Sequence, residues 1–136
     1  MTYQEKVEWL KSYRTIDAKV GKLTEDLNLW NDRATKITSS LSMEPKGAGD
    51  SDRLQKCVDK ICELQEEIAQ EMQRLRERRQ QIKTAIHTLE DDRCRNVLIL
   101  KYMQNCNFEE VAERMHYSWR QVARIHKKAV EKIKMS

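Results

Sequence analysis

Tyr13, Ile16, Val20, Leu23, Leu27, Trp30, Ala34, Ile37 and Leu41 recur in alternating steps of three and four residues. That rhythm keeps apolar side chains on one line only if the chain is an α-helix packed along its length against another helix. A second run repeats it: Leu54, Val58, Ile61, Gln65, Ile68, Met72, Leu75, Arg79, Ile82, Ile86 and Leu89, with Gln65 and Arg79 as polar exceptions. Between them lies "SMEPKGAGDS", residues 42–51, with the one proline and two of the three glycines of the 136-residue chain. A loop this short joins antiparallel helices, because a parallel return needs a connection as long as the helix itself. The expectation is an all-α protein whose residues 1–90 form a long antiparallel coiled-coil hairpin, with its loop at about 42–52 and a cap for the second helix at Ser51 or Asp52. Each arm would span about 55 Å at 1.5 Å per residue. So few glycines and prolines, with 35% charged residues, exclude all-β and Rossmann-like architectures.

The apolar stripe is wider than one seam. Trp9, Leu10, Leu29, Cys57, Cys62 and Leu64 fall beside the line, so either the C-terminal domain packs on that surface or a second chain does, and a stripe of this kind suits homodimerisation through the hairpin. The arginines of the second arm (Arg74, Arg76, Arg78, Arg79) alternate with Glu63, Glu66, Glu67, Glu71 and Glu77 at helix-pair spacing. They read as a solvated, salt-bridged face rather than a second nucleic-acid patch.

Cys57, Cys62, Cys94 and Cys106 form no CxxC pair, and His87, His116 and His126 stand at none of the usual zinc-finger spacings. No metal or other cofactor is expected, and free, mostly buried thiols are. No apolar run is long enough for a signal peptide or a membrane span, which points to a cytoplasmic protein without membrane contact. Phosphate-binding glycine loops, nucleophile elbows and HExxH are all missing, so an enzyme is not expected.

Charge is unevenly distributed. Residues 1–43 have a net charge of +1, residues 44–92 of −3, and residues 93–136 of +6. A basic end calls for an acidic partner, with double-stranded DNA the first candidate. The long periodic pattern stops at Glu90-Asp91-Asp92, and residues 91–136 read as a separate small domain. A helix is expected over about 93–103, then the connector "QNCN". Asn107 with Glu110, and Ser118 with Gln121, form two capping boxes that bracket a short turn after Met115. Two short helices so joined are the sequence form of a helix-turn-helix. Val111, Ala112, Met115, Tyr117, Val122, Ile125, Ala129 and Ile133 would face inward. The outer face of the last helix then holds the expected DNA-binding set: Trp119, Arg120, Gln121, Arg124, Lys127, Lys128 and Lys132. Arg120, Gln121 and Arg124 suit base edges, whereas Lys127, Lys128 and Lys132 suit phosphates. His126 is either an exposed helix residue or a further phosphate contact.

The segment "NFEEVAERMHYSWRQVARIHKKAVEKI" resembles the fourth conserved region of the sigma-70 family of RNA polymerase sigma factors, through Phe108, Glu109, Glu110, Val111, Ala112, Glu113, Ser118, Val122, Lys128, Ala129 and Lys132. The likeness covers residues 94–134. His116 stands where that family has glycine, which requires a left-handed backbone there. The layout of hairpin plus basic domain is similar to phage and prophage transcriptional regulators. The resemblance implies a −35-type DNA contact and contact with RNA polymerase, but not promoter opening. A different class of function is an oligomeric helical module that docks on polymerase or another phage protein, including a small-terminase-like role in DNA packaging.

Overall fold

The computed structural model describes residues 1–43 and 48–134, except for the side chains of residues 40–43, 48 and 50. The chain is all-α. Helix α1 (Tyr3–Met43) and helix α2 (Ala48–His87) pack as an antiparallel hairpin, followed by α3 (Asp92–Leu98), a π-helical turn (Ile99–Met103), α4 (Phe108–Met115) and α5 (Trp119–Lys132). The helices run into the segment expected to be a loop. Ser51 and Asp52 lie inside α2, so neither caps it, and of the expected loop residues 44–47 lie outside the described residues. A helical glycine at Gly49 costs only about 1 kcal/mol relative to alanine, too little to stop a forty-residue helix.

The described residues form two compact units: those within 1–15 and 75–134, and those within 16–74. In the second unit the α1 seam is as expected, with Ile16 and Ile37 buried and Val20, Leu23, Leu27, Trp30 and Ala34 half-buried. The seam on α2 is shifted at every other position. Cys57, Leu64 and Glu71 are buried, whereas Val58, Gln65 and Met72 are exposed. Glu71 is tolerated in the seam because Lys19 Nζ, 3.0 Å away, and Arg74 Nη1, 2.9 Å away, both donate to its carboxylate. These donors hold its pKa below the usual carboxylate value.

In the first unit the base of the hairpin shares a core with the C-terminal helices. Val7, Leu10 and Tyr13 of α1 and Ile82, Ala85 and Ile86 of α2 pack with Leu89, Cys94, Leu98, Tyr102, Ala129, Val130 and Ile133. Leu10, Ile82, Ile86, Leu98 and Ile133 are almost fully buried, each contributing roughly 1.5–3 kcal/mol of transfer free energy. A second cluster (Val97, Cys106, Val111, Ala112, Val122) fills the space under α4.

The single helix expected over 93–103 instead changes pitch at Ile99. Gln104 N donates to Ile99 O (3.0 Å) and Cys106 N to Leu100 O (2.9 Å), and Asn105 ends the turn with φ 57°. The carbonyls this leaves open are met by α1: Arg14 Nη2 donates to Lys101 O (2.7 Å) and the Tyr13 hydroxyl to Tyr102 O, while Arg14 Nε donates to the side-chain Oδ1 of Asn105 (2.9 Å). Helix ends need such external donors.

Candidate nucleic-acid interface

Helix α4 starts as its sequence indicates. Asn107 Oδ1 accepts from Glu110 N (2.8 Å) while Glu110 Oε1 accepts from Asn107 N (3.2 Å). It ends at His116, whose φ of 59° and ψ of 39° are left-handed, as its place in the turn requires. Tyr117 N donates to Ala112 O (3.0 Å) and His116 N to Glu113 O (3.3 Å), the paired bonds of a Schellman turn. Tyr117 itself packs half-buried against the cluster under α4. These bonds fix the angle at which the chain enters α5.

Helix α5 divides cleanly into faces. Val122, Ala129, Val130 and Ile133 are buried, and Arg120, Arg124, Lys127, Lys128 and Lys132 are exposed. Arg120, Arg124 and Lys127, at i, i+4 and i+7, share one line of the helix, with Lys128 and Lys132 beside it. Glu131 follows Lys127 on that line and puts a carboxylate at the far end of the basic face. Trp119, 55% exposed, opens the helix with its ring edge-on to Phe108 at 5.7 Å.

Gln121 is also exposed, but its side chain is occupied. Its Oε1 accepts from Ser118 N (2.9 Å) and from Ser118 Oγ (3.3 Å), while Ser118 Oγ accepts from Gln121 N (3.2 Å). A bidentate grip on adenine uses the same Oε1 as acceptor. In this conformation Gln121 is a capping residue first.

His126 departs from both sequence expectations, an exposed residue or a phosphate contact. It is 6% exposed. Its Nε2 lies 2.6 Å from the Tyr102 hydroxyl and its Nδ1 3.2 Å from the Tyr3 hydroxyl, with the Phe108 ring 5.0 Å away. Burial, reinforced by Lys101 and Lys11, pushes its pKa down to about 4. Position 126 falls between Val122 and Ala129 on the inward face, which spacing alone could have indicated.

Sequence reasoning also passed over Arg93. It lines a depression of about 170 Å³ with Gln121, Arg124 and Lys128, next to the Asp91 carboxylate. Asp91 caps α3 by accepting from Arg93 N (2.9 Å), and that bond, with the Arg93 charge, holds its pKa below the usual carboxylate range. Arg93 Nε sits 3.6 Å from the same carboxylate. Nothing in the local sequence of α3 distinguishes Arg93 from an ordinary helix-start residue.

A family model described as "Protein of unknown function (DUF722)" matches residues 20–135. The chain belongs to the DUF722 family. No curated protein and no solved structure matches it. The description of DUF722 names neither a sigma factor nor a helix-turn-helix protein. The matched span of this DUF722 protein includes α4, α5 and the whole basic face, and leaves out Val7, Leu10 and Tyr13. No described helix is long and apolar enough to cross a membrane.

Proposed function

We propose that this DUF722 protein binds double-stranded DNA through α5 and regulates transcription, with α4 and α5 acting as a helix-turn-helix of the kind its likeness to sigma region 4 implies. The observation that supports this most is the pairing of a rigid, doubly capped turn with an exposed line of Arg120, Arg124 and Lys127. A major groove admits one α-helix, and arginines near the start of that helix reach guanine edges. Lys128, Lys132 and Arg93 flank the line and suit phosphates, while Trp119 suits the sugar-phosphate backbone or a thymine methyl.

The hairpin adds a second copy to this reading. Val58 and Met72 are 41% and 43% exposed, and with the half-buried Ile61 and Ile68 they flank exposed Gln65 in the same three-four rhythm as a helix seam. That strip runs much the same in either direction about Gln65, as a two-fold interface between identical helices requires. A dimer would place two copies of α5 on two half-sites.

Selection of bound duplexes from a random pool, with and without RNA polymerase, tests the proposal. Enrichment of a short motif by the protein alone is the expected result. Enrichment only in the presence of polymerase would favour the docking-module reading, and no enrichment in either arm would remove DNA recognition altogether.

A further inference from the structure

Within the unit formed by residues 16–74, a cleft of about 340 Å³ opens between the two helices, lined by Trp30, Arg33, Lys36 and Ile37 of α1 and by Arg53, Lys56 and Cys57 of α2. Its volume is at the lower end of the roughly 300–1,000 Å³ typical of ligand pockets. The floor is apolar: Ile37 is 9% and Cys57 5% exposed, and Trp30 is half-buried. The rim is cationic. Arg33, Lys36, Arg53 and Lys56 are all exposed, and none of the described lining residues carries a carboxylate. The Arg33 guanidinium stacks 4.6 Å from the centre of the Trp30 ring, which fixes a long side chain over the cleft and lowers the entropy lost when it grips a ligand.

Arg33, Lys36 and Lys56 bring three positive charges to one small cleft, and a ligand bearing carboxylates complements them. A nucleic-acid backbone supplies negative charge but has no use for an apolar floor between two helices, and a free anion would leave that floor uncovered. The combination of floor and rim fits a protein segment in which a large apolar side chain sits between acidic ones. We propose that this cleft docks an acidic segment of a partner protein, seating one Leu- or Phe-sized side chain against Trp30, Ile37 and Cys57 while Arg33, Lys36 and Lys56 hold the flanking carboxylates. The site is separate from the basic face of α5 and does not depend on whether α5 binds DNA.

The test uses the full chain and a short fluorescein-labelled peptide in which a Leu-Phe pair is flanked by glutamates. Anisotropy should report binding that weakens with salt, and the indole N–H resonance assigned to Trp30 should shift on titration in a nitrogen-15 spectrum. An all-glutamate peptide of equal length should bind at least about tenfold more weakly, a difference of about 1.4 kcal/mol for the apolar anchor. The exposed pair Arg33→Glu and Lys56→Glu, in one variant that keeps the wild-type circular dichroism, should lower affinity for the Leu-Phe peptide by about tenfold or more. Failure of the wild-type chain to bind that peptide overturns the proposal, as does equal binding of the two peptides. A third arm uses a short duplex DNA. If charge reversal weakens duplex binding and leaves the peptide unaffected, the cleft is a nucleic-acid surface instead.

Discussion

His126 Nε2 lies 2.6 Å from the Tyr102 hydroxyl, joining the helix proposed to read DNA to the π-helical turn through two groups that are both buried. Tyr102 is fully buried, and burial raises its pKa, so the hydroxyl keeps its proton and needs a partner. A neutral imidazole supplies one nitrogen to Tyr102 and the other to Tyr3, and a charged one cannot accept from either.

Acid should therefore loosen this junction. The folded pKa of His126, about 4, lies below the 6.5 of an exposed histidine. The unfolded chain then binds the proton more readily, so the contribution is complete above about pH 6.5 and is lost as pH falls from there to about 4. A difference of that size corresponds to about 3 kcal/mol. Urea midpoints measured between pH 7 and 4 should fall accordingly, ahead of the carboxylates Glu71 and Asp91, whose lowered pKa values place their losses below about pH 4.5. His126→Phe should flatten the upper part of that profile and cost about 1–3 kcal/mol at pH 7, because the Tyr102 hydroxyl loses its partner. An unchanged slope in the variant would assign the titration to another group.

Much of this architecture is legible in the sequence where the signal is local. Both capping boxes, the turn at His116 and, except at His126, the division of α5 into faces follow from residues three or four apart. The α1 seam does too. On α2, positions 57 and 58, 64 and 65, 71 and 72, and 78 and 79 compete as neighbours for one seam. Val58 and Met72 are better apolar candidates than Glu71 and Arg78, yet they are exposed. What decides is long-range: Lys19 neutralises Glu71, and the Ser12 hydroxyl accepts from Arg78 (2.7 Å). The π-helical turn was hidden for the same reason, since Tyr13 and Arg14, which satisfy its end, lie nearly ninety residues earlier.

The base of the hairpin should be indispensable to the basic domain. Val7, Leu10, Tyr13, Ile82 and Ile86 belong to the same core as Ala129, Val130 and Ile133 of the C-terminal segment. A fragment of residues 91–136 should show no cooperative urea transition, and Leu10→Ala in the full chain should lose about 2–5 kcal/mol. A cooperative transition in the isolated fragment would mean that its short helices hold together without α1.

The left-handed turn makes a prediction of opposite sign for two substitutions at one position. His116 has φ 59°. Glycine adopts that conformation without a side-chain penalty, whereas valine is strongly disfavoured there. His116→Gly should leave stability unchanged or raise it by up to about 1 kcal/mol, and His116→Val should lower it by roughly 1–3 kcal/mol. Thermal denaturation of the two variants would show it, and equal midpoints would mean the turn relaxes to another geometry.

The DNA-binding reading separates the residues of α5 by kind of effect. Arg120 and Arg124 are exposed on one line and have no side-chain hydrogen-bond partner among the described residues, so Arg120→Ala and Arg124→Ala should each lower affinity for a selected duplex by about 1–3 kcal/mol and relax its sequence preference. Lys128→Ala should weaken all duplexes alike and make the salt dependence shallower by about one ion. Gln121→Ala is the informative case, because its Oε1 already accepts from Ser118 N. If capping is its main work, the variant loses about 1 kcal/mol of folding stability and keeps its sequence preference. Lost preference at a single base pair with stability intact would instead mean that the capping box opens on DNA and that Gln121 reads a base. Fluorescence anisotropy against the selected duplex and a scrambled one, beside urea denaturation of each variant, distinguishes the outcomes. Wild-type affinity in all of Arg120→Ala, Arg124→Ala and Lys128→Ala would take DNA recognition away from α5.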